Sequence, residues 1–184
     1  MPGDRFDALL ATMKKVAGVL RDAGVPFLLA GGLASWARGG PPTEHDIDFA
    51  IAADDVERAL DALSEAGLRT ERPPEGWLVK AWDGDVLVDL VFHPSGLHID
   101  DEAFERADEL QVNAVRMKVM CADDILLTKL LSLTEHHLDY ESVLEVSRAL
   151  REQIDFDRVR ERTKESPYAA AFFTLLDELG VTVP

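Results

Sequence analysis

The residues best placed to do chemistry are Asp46 and Asp48, set one apart in the run Asp46-Ile47-Asp48-Phe49, and the glycine pair Gly31-Gly32 ahead of them. Side chains two apart on a β-strand leave the same face, so the two carboxylates project together while Ile47 and Phe49 point into the core. Like charges held side by side repel unless a cation lies between them. Hard divalent ions such as Mg²⁺ take such carboxylates, together with phosphate oxygens, as ligands. The glycine pair follows the apolar run Val25-Pro26-Phe27-Leu28-Leu29-Ala30 and opens an expected helix. Free N–H groups and the positive dipole end at a helix start suit a phosphate. A metal site beside a phosphate cradle reads as phosphoryl or nucleotidyl transfer.

A third acid interrupts Val86-Leu87-Val88-Asp89-Leu90-Val91-Phe92, a strand otherwise apolar on both faces. Such strands are buried, and an unpaired buried charge is costly. Asp89 therefore requires a salt bridge or a metal shared with Asp46 and Asp48, and the paired acids tip the balance towards metal.

The elements that must position these residues follow from periodicity and punctuation. Phe6, Leu9, Leu10, Met13, Val16, Val19 and Leu20 recur at helical spacing, and Gly24 closes that helix. Strand 25–30, helix 32–38, the loop Gly39-Gly40-Pro41-Pro42 and strand 46–52 come next. Asp54 is expected to cap a helix that turns Val56, Leu60 and Leu63 inward and ends at Gly67. Residues 77–82 and 86–92, joined by Asp83-Gly84, form a hairpin. A helix at 101–107 and one strand at 112–119 follow. From Asp123 the pattern is helical, over 125–133, 142–150, 156–164 and 167–179. The expected class is α/β (α+β), with an α/β core over 1–118 and a helical C-terminal region, 119–184, packed on it.

At 184 residues and 47% apolar composition, the chain is one domain with a real core, or a domain with a helical extension. The first residues lack a signal-peptide pattern, no apolar run approaches the roughly 20 residues that span a bilayer, and the single Cys121 has no internal disulfide partner. A cytoplasmic location without a membrane partner is the expectation, with Cys121 a small buried hydrophobe. The net charge of −16 counts against tight nucleic-acid binding. Arg151, Arg158, Arg160 and Arg162, interleaved with acids, read as a solvated helix face with mixed ion pairs.

Gly31-Gly32, then Asp46-Ile47-Asp48-Phe49, then Asp89 on a later strand resembles the nucleotidyltransferase superfamily typified by DNA polymerase β. The resemblance implies a small mixed or mostly antiparallel sheet with helices packed on it. It implies two Mg²⁺ ions, with Mn²⁺ as an alternative, held by Asp46, Asp48 and Asp89. An acceptor hydroxyl would attack the α-phosphorus of an NTP and release pyrophosphate. In family terms Asp46 and Asp48 ligate both ions, and Asp89 holds the ion that activates the acceptor and assists its deprotonation. Gly31, Gly32 and Ser35 would contact the β and γ phosphates.

Asp123-Asp124-Ile125-Leu126-Leu127-Thr128-Lys129-Leu130 is similar to a helix of AbiEii-like and MenT-like toxin nucleotidyltransferases, in which a lysine reaches the triphosphate. Lys129 on this apolar helix would hold polyphosphate, or else snorkel to solvent. That branch continues with a basic-acidic dipeptide; here Glu135-His136-His137-Leu138-Asp139-Tyr140 leaves only Asp139 as a counterpart. Arg38 either braces phosphate or acceptor or is a surface charge, and His45 sits beside the acids on a loop edge. His136 and His137 are expected to face solvent at a helix end, and Trp77 and Trp82 to serve core or interface rather than base stacking.

These features favour a toxin-like enzyme acting on RNA, such as a tRNA 3′ end, or on a protein hydroxyl, with a cognate antitoxin as a possible partner. The alternatives are an antibiotic nucleotidyltransferase of lincosamide or aminoglycoside type, whose cationic acceptors suit an acidic cleft, and a non-catalytic nucleotide- or partner-binding module.

Overall fold

The computed structural model describes residues 2–43 and 46–182; His45 lies outside them. The first apolar stripe becomes α1 (Pro2–Asp22), burying Leu9, Met13, Val16 and Leu20 at helical spacing. Gly24, at φ 68°, ends it as expected. Four buried residues make β1 (Phe27–Ala30), and α2 (Gly31–Ala37) follows directly. Next come β2 (Ile47–Ile51), a 3₁₀ turn at Ala53–Asp55 and α3 (Val56–Glu65). The strands β3 (Arg69–Glu71), β4 (Leu78–Asp83) and β5 (Val86–Val91) precede α4 (Asp101–Arg106). Then β6 (Asp108–Val112) and β7 (Val115–Val119) lead to four helices. These are α5 (Ala122–Leu131), α6 (Tyr140–Ala149), α7 (Phe156–Arg162) and α8 (Pro167–Glu178).

The seven strands form one mixed sheet in the order β3-β4-β5-β2-β1-β7-β6. Strand β1 runs antiparallel to β2 and parallel to β7, while β2 runs parallel to β5. Two hairpins, β4/β5 and β6/β7, complete it, with β3 on the outer edge. Ile47, Phe49 and Ile51 are fully buried, and Phe27 meets Phe49 edge to face. Burying a side chain such as Phe49 contributes about 1.5–3 kcal/mol. The opposite face of β2 carries Asp48 and Ala50, in the alternation the sequence indicates.

Two local expectations are corrected, and one strand is added to them. The single strand at 112–119 is a hairpin, β6/β7, because Asn113 and Ala114 both adopt positive φ (44° and 68°) and reverse the chain. Alanine gives no turn signal, so tertiary pairing imposes this turn. The polar, exposed segment of β3 has no strand pattern and joins the sheet only as an edge partner of β4. Asp54 does not cap α3: the 3₁₀ turn shifts the N-cap to Asp55, whose carboxylate engages Arg58 rather than the helix N–H groups.

Helix α5 packs against α2 and is surrounded by α6, α7 and α8. Its first turn holds two buried acids. Asp124 accepts from Arg106 of α4 and Arg162 of α7, and Asp123 accepts from the Asp155 N–H and Arg158. Breaking a buried, paired charge costs about 3–5 kcal/mol, so these contacts fix the C-terminal helices on the α/β layer.

Candidate active site

The sheet register sets the site. Ala30 lies opposite Asp48, Asp48 opposite Asp89, and Asp89 opposite Lys80, in one row across β1, β2, β5 and β4. Asp46 stands just ahead of β2. Oxygens of Asp46, Asp48 and Asp89 all lie within 4.8 Å of one another, so the structure brings the three predicted acids together.

Burial and mutual repulsion govern their electrostatics. Burial foremost, then Asp46 and Asp89, push the Asp48 carboxyl from its ordinary 3.8 up to about 7, against the opposing pull of Lys129 and a hydrogen bond from the Gly32 N–H. Asp89 is also raised, chiefly by burial and further by Asp46, while Lys80 draws it back. Lys80 Nζ donates to both Asp89 oxygens, at 3.1 and 3.4 Å. The two alternatives for Asp89, salt bridge and shared acid cluster, thus coexist. Lys80 escaped the sequence reading although the hairpin register about Asp83-Gly84 puts it opposite Asp89.

The turn from β1 into α2 passes hard against these acids. Gly31 has φ 56°, and a Cβ built there would overlap the Asp48 carboxylate. A Cβ on Gly32 would come within 2.9 Å of the Thr43 side chain. Ser35, one turn along α2, is 2% exposed, and its hydroxyl has no hydrogen-bond partner among the described residues. Gly31, Gly32, Ser35, Asp46, Asp48 and Lys129 all line one cavity of about 920 Å³ between the sheet face and helices α2, α5 and α6. Lys129 reaches this cavity instead of running to solvent, and its ammonium donates to Ser142 Oγ at 3.0 Å.

Other candidates fall elsewhere. Arg38 neither braces a ligand nor lies on the surface: its side chain is 6% exposed and donates to the carbonyls of Met120 and Val119 and to Asp108. A guanidinium at the end of α2 thus ties that helix to the end of β7. Asp139 caps α6 through the Ser142 N–H and does not line the cavity. His136 is exposed and pairs with Glu135, while His137 bridges Thr134 in a turn rather than ending a helix. Trp82 stacks under Arg69, but Trp77, expected in a core or interface, is 43% exposed and lines the cavity. Cys121 is half-buried, its thiol pushed up chiefly by burial.

The fold is similar to that of ANT(2″)-Ia, an antibiotic-resistance factor. Its crystal structure with adenylyl-2″-tobramycin matches with a TM-score of 0.61 at 17% identity, over 90% of this chain and 97% of that one. Its solution structure matches with a TM-score of 0.63 at 16% identity, over 95% and 96%. The lincosamide antibiotic adenylyltransferase LnuA, bound to lincomycin, gives 0.52 at 16% identity, over 73% of this chain and 93% of that one. At such identities the likeness is one of fold. No curated protein matches the chain. A family model described as uncharacterised nucleotidyltransferase matches residues 4–182, nearly the whole chain. By that match over nearly its whole length, this chain belongs to that nucleotidyltransferase family.

Proposed function

We propose that this protein moves NMP from an NTP to the hydroxyl of a small-molecule acceptor, with pyrophosphate as the second product. The observation that carries the reading is the convergence of Asp46, Asp48 and Asp89 beside the Gly31 turn. The residues present fit a divalent metal and a triphosphate. Three carboxylates offer oxygens within 4.8 Å of one another, two glycines leave room where any side chain would intrude, and the buried Ser35 hydroxyl has no partner among the described residues. Asp46, Asp48 and Asp89 would hold Mg²⁺ or Mn²⁺, one ion or two, which when bound neutralises phosphate charge and lowers the pKa of the acceptor hydroxyl. Gly31 and Gly32 let the phosphates approach the backbone, Ser35 donates its hydroxyl to them, and Lys129 offsets their charge. Lys80 holds Asp89 in place and opposes the burial that favours its protonated form, as suits a group taking the acceptor proton.

The acceptor is read from charge. The arginines that might have tracked a phosphate backbone are engaged by carboxylates: Arg158 with Asp123, Arg160 with Asp177 and Arg162 with Asp124. With a net charge of −16, this favours a neutral or cationic small molecule over RNA. The folds of ANT(2″)-Ia and LnuA, whose structures hold adenylyl-tobramycin and lincomycin, support the same reading. The toxin-like reading, with an RNA or protein acceptor and an antitoxin partner, stands second; the reach of Lys129 into the cavity supports it.

Incubation with each α-labelled NTP and Mg²⁺, offered tobramycin, lincomycin and total cellular RNA in parallel, separates the readings. Label on a small molecule, abolished by EDTA and by Asp48→Ala, is the expected result. Label on RNA transfers first place to the toxin-like reading. No label on any acceptor, from protein that binds NTP, sinks both.

A further inference from the structure

Trp77 is one of the few large apolar side chains left open to solvent among the described residues, and it lines the cavity that holds Asp46 and Asp48. Its backbone is fixed: the Trp77 carbonyl accepts the N–H groups of both Phe92 and His93, at 3.0 and 3.1 Å. The indole is therefore presented on rigid structure, and little ordering entropy stands against its use. The register gives its place. The row Ala50, Val91, Leu78 is two residues along from the row Asp48, Asp89, Lys80, and Trp77 is one further. At about 3.3 Å per residue along the strand and about 4.8 Å per strand across, the Trp77 backbone stands roughly 11 Å from that of Asp89 and roughly 14 Å from that of Asp48.

Which ligand meets it follows from in-line displacement, in which the attacking hydroxyl comes from the side opposite the leaving pyrophosphate. The Gly31, Gly32 and Ser35 cradle follows β1, on one side of β2, whereas Trp77 flanks the end of β5, on the other. Trp77 is thus on the acceptor side. The cavity lining there is apolar at Val91 and Pro94, while its charged groups are Asp46, Asp48 and Glu145 against Lys129. With Asp46 and Asp48 given to the metal and Lys129 to the phosphates, Glu145 is the acid of the lining left unassigned. An aromatic face with an unassigned acid in one cavity selects a cation. We propose that Trp77, with Val91, His93 and Pro94, forms the acceptor wall of this site and takes a ring compound that carries protonated amines.

The inference rests on the acceptor reading above but is tested by binding, not transfer. Tobramycin serves as the polyamine ring probe and trehalose as its uncharged counterpart, titrated calorimetrically into the full chain, with Mg²⁺-ATP titrated separately. Trp77→Ala should weaken tobramycin about tenfold and Trp77→Phe by less than about threefold, with ATP affinity held within about twofold. Trehalose should not bind. Thermal melts of both variants separate a lost wall from a lost fold. Loss of ATP affinity with tobramycin unchanged makes Trp77 a nucleobase platform and overturns the proposal. Equal binding of trehalose, or no binding of tobramycin by the wild type, overturns the ligand class. Trp77-dependent tobramycin binding without NMP transfer to any acceptor leaves the wall standing and overturns the proposed function instead.

Discussion

In the metal-free protein, replacing Asp48 with Asn removes a charge that the fold disfavours. Burial and the neighbouring acids raise this carboxyl from 3.8 to about 7, so the folded chain holds the Asp48 proton more tightly than the unfolded chain does. Stability from this group is fully present below pH 3.8 and is lost as pH rises through about 7. A tenfold change in proton affinity is worth about 1.4 kcal/mol, so between pH 5 and pH 8 the wild type should lose about 3 kcal/mol at most. Asn has no proton to titrate, and distant groups common to both proteins cancel when the two are compared. Loss of the Asp48 charge also relieves Asp46 and Asp89, which adds to the difference in the same direction. Urea denaturation in EDTA at both pH values measures the difference; the wild type should fall by about 2–3 kcal/mol relative to D48N. Mg²⁺ added at pH 8 should restore the wild type and leave D48N nearly unchanged, because only the full acid set binds the ion well. A wild type that keeps or gains stability relative to D48N from pH 5 to pH 8 would refute the claim that burial and mutual repulsion govern this cluster.

Three further outcomes follow from the same geometry. Gly31→Ala forces a Cβ into the Asp48 carboxylate at a positive φ, so thermal melts should show a loss of at least about 2 kcal/mol, and Mn²⁺ titration a weakened ion site. Lys80→Met leaves Asp89 buried without its cation; in EDTA the variant should lose about 1–3 kcal/mol by urea denaturation, and saturating Mg²⁺ should recover most of it. Arg38→Ala removes a buried guanidinium that donates to the Met120 and Val119 carbonyls and to Asp108 and should cost about 2–4 kcal/mol, while the folded variant keeps wild-type Mg²⁺ affinity in calorimetry.

The acids were legible as a group because a strand's alternation is a local property. Once 46–52 and 86–92 read as strands, Asp48 and Asp89 had to share a face with each other if the strands paired in register. The same local logic delivered the Gly24 helix end, the Asp83-Gly84 hairpin and the helical pattern after Asp123. Even Lys80 was within reach of hairpin register. What the chain alone did not reveal depends on contacts between segments distant in sequence. Arg38 is drawn from ligand or surface into a structural role by carbonyls more than eighty residues away. Asp123 and Asp124 look like an ordinary acidic first turn of a helix until Arg106, Arg158 and Arg162 fold over them. Trp77 has the composition of a core residue, and only the packing of α5 and α6 over the sheet leaves it facing a cavity. Side-chain periodicity is encoded by neighbours in the chain and survives without a tertiary structure. Partners, burial and the shift of a carboxyl towards neutral pH are set by which distant atoms arrive, and folding decides that.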